Sequence, residues 1–174
     1  MKPQSWNLSQ VISHILPPVA GNMRPRFWKV SQGKDDFSAT DALVSIEQGL
    51  VCVHGTTPPQ GGSATSQGED FINAAIGDYF YLTHSNKGIY ILGQFSGPPN
   101  IFSSRGHGWV DRPFRFIRAA TEVKKYEGPD KWWSPKHNST FTLVPDDELK
   151  LFEDSILWPH FGIRFADFGI VVED

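Results

Sequence analysis

The sequence predicts an α+β fold, and three observations lead there. Two apolar, aromatic-rich runs, 79–83 and 89–95, flank a turn of His84-Ser85-Asn86-Lys87-Gly88, and this reads as a β-hairpin. Residues 38–48 and 146–154 carry helical spacing and helix-end signals. Strands and helices do not alternate in regular βαβα order, so the strands belong to an antiparallel or mixed sheet with short flanking helices.

Each element has a local reason. Trp6, Leu8, Val11, Ile12, Ile15 and Leu16 recur at near-helical spacing, and Pro17-Pro18 stops the run. Residues 1–25 are therefore expected to be a helical appendage and linker, with 26–174 as the main domain. Arg26-Phe27-Trp28-Lys29-Val30 reads as a strand with aromatic residues on both faces. In 38–48, Ala42, Leu43 and Ile46 share one face and Gly49 ends the helix. Residues 50–53 form a short apolar run, a buried strand. Residues 55–68 are a Gly/Pro-rich loop, and 69–75 a short helix. In the hairpin, Asn86 and Gly88 are expected to take the positive backbone angles, and Gly93 to mark a bulge. Residues 97–108 read as loop, 114–124 as a strand with imperfect alternation, and 126–139 as a loop carrying Trp132-Trp133. A short strand is expected at 141–144. A helix follows at 146–154, its first turn acidic where the helix dipole favours it. A final strand is expected at 168–172.

Composition sets further bounds. The 174 residues can bury a real core without a metal or disulfide staple. The lone Cys52 has no internal disulfide partner, which fits a reducing compartment. No targeting signal is recognised, and no apolar run approaches the roughly 18 residues of a membrane span. The expectation is a soluble, cytoplasmic protein without a membrane partner. The unusual feature is aromatic content: six Trp and thirteen Phe. Trp6 and Trp158 read as packing residues, whereas Trp109, Trp132 and Trp133 fall in expected loops.

Catalytic and cofactor motifs are largely missing. His54-Gly55-Thr56-Thr57-Pro58-Pro59-Gln60-Gly61-Gly62 is Gly-rich but lacks the Lys of a phosphate loop. The six His are scattered singly, without the i, i+4 spacing of a metal pair, so neither metal nor cofactor is expected. No Gly-x-Ser-x-Gly elbow occurs. The reading is a non-enzymatic protein.

Charge is more informative. The formal net charge of -3 averages unlike parts: residues 105–136 carry eight basic and four acidic groups, and the rest of the chain is acidic. Arg105, His107, Arg112, Arg115, Arg118, Lys131 and Lys136 are candidates for contacts to a nucleic-acid backbone, since cations neutralise phosphates. The neighbouring Trp109, Trp132 and Trp133 offer faces on which bases stack.

The order of these segments resembles the EVE domain of the PUA-like superfamily, which also contains the YTH readers. The resemblance covers roughly residues 24–165. It rests on the first strand with its Ser-Gln-Gly loop, the strand 49–55, and Gly77-Asp78 before a hairpin whose second arm carries Leu92-Gly93. It implies a small, twisted, barrel-like sheet with flanking short helices. It also implies a reader of modified bases, like the N-terminal specificity domain of McrB-like restriction proteins. The methylated cytosine or adenine would be flipped from double-stranded DNA into an aromatic pocket. Matched position by position, that pocket takes Ser31 and Gln32 after the first strand, and Val53 and His54 where the family often has Trp. Asp70 faces the base edge, and Trp132 or Trp133 forms a ring wall. Trp28 is expected in the core. An effector nuclease or GTPase domain would lie in the same or another chain. The alternatives are an RNA-binding PUA-like module without modification selectivity, and a small-molecule enzyme or protein-interaction domain on the same scaffold.

Overall fold

A computed structural model describes residues 24–33, 35–61 and 63–172. The expected N-terminal helix lies outside them. The described chain is α+β, with a six-stranded mixed sheet curled into a half-barrel. The strands are β1 (Phe27–Ser31), β2 (Leu50–His54), β3 (Tyr79–Thr83), β4 (Ile89–Phe95), β5 (Trp109–Ala119) and β6 (Phe141–Leu143). Their order is β2-β5-β4-β3-β1-β6; only β1 and β3 run parallel.

All residues of β1 and β3 are buried, which explains their weak alternation: both faces are covered. Phe27, Tyr79 and Tyr81 face one core with Trp133, Phe152, Ile156 and Phe161. Trp28, Val30, Phe80 and Leu82 face the other, with Val51, Val53, Phe71 and Phe141 inside the curl. Helix α1 (Ala39–Gln48) is capped by Ser38, whose side chain accepts from Asp41 N while the Asp41 carboxylate accepts from Ser38 N. Gly49 ends it at φ 65°, where a side chain would be strained. Helix α2 (Gln67–Asn73) packs on β6 and β2 and plugs the open side of the curl.

Several local expectations are corrected. The positive φ of the hairpin falls on Ser85, not on Asn86 or Gly88. The β4–β5 register does shift at Leu92/Gly93, but the extra residue, Ile117, lies on β5. β5 starts at Trp109 and ends at Ala119, so Trp109 is a strand residue. After a 3-10 turn (Asp146–Glu148) and α3 (Leu149–Phe152), the chain continues as a widened π-helical stretch, Glu153–Phe161. Pro159 lies inside it; proline cannot donate the usual intrahelical bond, and the wide turn accommodates that loss. No strand forms at 168–172, where a 3-10 turn (Phe165–Phe168) precedes irregular chain. Trp158 is not a core residue: it is half exposed, with the Arg164 guanidinium 4.3 Å from its ring centroid. No helix among the described residues is long and apolar enough to cross a membrane.

Candidate functional site

A cleft of ≈ 320 Å³ opens beside β6 and brings together Trp132, Asp70, Arg26, Trp28, Gln67 and Phe141. Its floor is apolar and rigid: Trp28 and Phe141 stack at 4.5 Å with their planes 11° apart. Trp28 is anchored by its indole N–H, which donates to Asp78 Oδ2 at 2.9 Å. Asp78 also accepts from Arg26 N, Arg26 Nε and Ala75 N, so it ties β1 to the end of α2.

The wall is Trp132, 50% exposed. Its ring lies between the Gly61 backbone and the His137 imidazole, whose centroid is 4.2 Å away. A Cβ at Gly61 would stand 3.2 Å from the indole, and φ is +61° there, so both space and backbone favour glycine. Asp70 comes from the first turn of α2 and is half-buried. Burial raises its carboxyl pKa, with Glu69 adding to the shift and Arg26 opposing it. Gln67 Oε1 accepts from Thr140 N and Phe141 N, and this joins α2 to β6 beneath the cleft.

Asp70 and Trp132 are thus in one cleft, but other pocket candidates are elsewhere. Gln32 and Val53 are fully buried and Ser31 nearly so, which removes them from contact with a ligand. Trp133 is also fully buried: it packs edge-on against Phe152, and its indole N–H donates to Glu148. Adjacent Trp residues point apart, and here one serves the core and the other the cleft. His54 lies in a second aromatic cluster. Its ring meets Trp109 edge-on at 5.2 Å, and Trp109 meets Phe37 edge-on at 5.4 Å. The Arg105 guanidinium fills this cluster, 3.7 Å from the Phe37 centroid and 4.7 Å from that of Trp109, and donates to Asp36 O. His107 lines an open hollow of ≈ 580 Å³ beside it, with Phe102 and Trp109.

The basic segment does not form one cationic face. Arg112 is 1% exposed, and burial pushes its pKa down to about 10. Its Nη1 donates to Phe71 O (3.0 Å) and Ala74 O (2.6 Å), and its Nη2 to Gly97 O (3.1 Å). It secures the end of α2 and cannot reach a phosphate. Lys131 pairs with Glu148 and Lys124 with Glu122. Lys136 is exposed and donates to Glu127 O; Arg115 and Arg118 lie half-buried on β5. Most residues that line the cleft were missed as site residues, Arg26, Gln67 and Phe141 among them. These three sit in or beside strands and a helix start, where sequence alone gives them only packing or capping roles. No family model matches the chain, and no curated protein matches it.

Proposed function

We propose that the chain is a DNA-binding reader, not an enzyme, that takes a modified base from the duplex into the cleft beside β6. One observation carries this reading: Trp132 and Asp70 line the same cleft, an exposed ring for stacking and a carboxylate for the base edge. A carboxylate accepts from an exocyclic amine, as acidic side chains do at cytosine N4. Methylated cytosine and N6-methylated adenine both keep an N–H there. The curled sheet with flanking helices supports a PUA-like fold of the EVE type. In that setting the chain acts in the cytoplasm as the specificity module of a modification-dependent restriction or defence system, its effector nuclease or GTPase in the same or another chain.

Stacking on one ring contributes roughly 1–3 kcal/mol, and flipping costs a few. Phosphate contacts must supply the rest. With Arg112 in the core and Lys131 paired with Glu148, at least two of the eight basic groups of the 105–136 segment are engaged within the chain. Three phosphate contacts would give a slope of log K against log salt of about -3, where eight would give about -7.

The test is binding to matched DNA duplexes that differ only in one methylated base, with RNA of the same sequence in parallel. The expected result is tighter binding to modified DNA. Equal affinity for the two duplexes at moderate salt sinks the reader claim, and preference for RNA without modification selectivity turns the assignment to an RNA-binding module.

A further inference from the structure

Three residues in one register row bind the loop that carries Trp132. Lys29 of β1 stands opposite Tyr81 of β3 and Thr142 of β6. Lys29 is fully buried, and its Nζ donates to Ser134 O, His137 O and Ser139 Oγ, each at 2.8 Å. An ammonium has three hydrogens, and here each has an oxygen. Ser139 Oγ passes the connection on, donating to Trp132 O at 2.6 Å. Thr142 Oγ1 donates to the same carbonyl at 3.0 Å, and the Tyr81 hydroxyl donates to Trp133 O. The carbonyls of four of the loop's residues, 132, 133, 134 and 137, are thereby held from one face of the sheet.

We infer that Lys29 is a positioning residue for the cleft: its ammonium fixes loop 131–139 through Ser134, His137 and Ser139, so that Trp133 seats in the core and Trp132 stands as the wall. This rests on the cleft reading above for its functional meaning. The geometry also explains why a lysine suits the place. A planar guanidinium cannot direct three donors from one tetrahedral centre, and an apolar side chain takes one donor away from each of three oxygens.

The charged and titratable groups around Lys29 are few. The loop contributes Asp130 and His137, whose carboxylate and Nδ1 lie 3.4 Å apart. The 3-10 turn after β6 contributes Glu148, engaged by Lys131 and Trp133; β3 contributes Tyr81, and β6 only the neutral Thr142. Burial pushes the Lys29 pKa down to about 7, with Asp130 opposing. Above that pH the neutral amine has two hydrogens for three oxygens, and the loop loses one tie.

The experiment reads the free protein, labelled with 5-fluorotryptophan, with the Trp132 signal assigned by Trp132→Phe. Between about pH 6 and about pH 9 the Trp132 fluorine signal is expected to move with a midpoint of about 7. His137 contacts the Trp132 ring, so the titration is repeated in His137→Asn, where the midpoint persists. In Lys29→Met the signal shifts toward that of a solvent-exposed indole and loses its pH dependence, and binding of modified DNA weakens roughly 10- to 100-fold, the worth of one stacking wall. A flat Trp132 signal in His137→Asn, or an unchanged one in folded Lys29→Met, overturns the inference. If Lys29→Met does not fold, the titration alone decides. A protein that shows the titration but binds no DNA refutes the reader and leaves the Lys29 role intact.

Discussion

Two of the aromatic clusters among the described residues have similar make-up and opposite state. The cleft beside β6 has a stacked Trp28–Phe141 floor, a half-exposed Trp132 and a carboxylate. The cluster of Phe37, His54 and Trp109 has the Arg105 guanidinium over the Phe37 and Trp109 rings. A guanidinium over an aromatic face is favourable, so the second cluster satisfies itself. In the first, the Arg26 guanidinium covers the Trp28 floor, 4.9 Å from the ring centroid, and is tied at Nε to Asp78, while the Trp132 ring stands half exposed. Aromatic content alone therefore does not make a site. What matters is whether the chain already supplies the occupant.

Substitutions can break or sharpen this contrast. The largest effect is expected for Arg112→Ala, which strands the carbonyls of Phe71, Ala74 and Gly97 and loosens the helix that carries Asp70. It should cost about 3–5 kcal/mol in urea unfolding, as the loss of a buried charged donor does. Trp133→Ala is expected to cost a similar 3–5 kcal/mol through a core cavity, whereas its neighbour Trp132→Ala should change stability by about 0.5 kcal/mol or less. In duplex binding Trp132→Ala should lose roughly 1–3 kcal/mol and all discrimination between bases. Arg105→Ala should empty the second cluster at a cost of about 1 kcal/mol or less and leave discrimination by the first unchanged, read by the same titrations. The smallest effect concerns Asp70. Its folded-state pKa lies above the ordinary carboxylate value, so it binds protons more tightly in the folded than in the unfolded protein. Its contribution to stability is present in acid and is lost as pH rises through that pKa. Asp70→Asn should flatten this decline in a series of unfolding curves.

Much of the fold was legible because its signals are local. Ser38 and Gly49 cap α1 as their residue types demand, and the hairpin of β3 and β4 follows from two apolar runs around a short turn. The end of the chain was not legible. A π-helical stretch with an internal Pro159 violates the rule that proline stops a helix, and only tertiary packing of Ile156, Leu157 and Phe161 offsets that. The site was half legible. Asp70 and Trp132 are polar or exposed by type and lie in or beside loops, so they stand out. Arg112 misled: it counted as one of the cations of the basic segment 105–136, yet it faces inward toward the carbonyls at the end of α2, a partner 41 residues distant that no local pattern reveals. Lys29 was read as part of a strand, because a buried lysine is recognised only by the three acceptors that the fold brings to it.

The central claim is that the open cleft, and not the Arg105-filled cluster, takes the base. The most direct measurement follows the indole N–H resonances of Trp132 and Trp109 by NMR while a duplex with one methylated base is added. The account predicts that the Trp132 resonance shifts with modified duplex and not with its unmodified match, while Trp109 stays in place. Movement of Trp109 with Trp132 unchanged would contradict it and put the base among Phe37, His54 and Trp109.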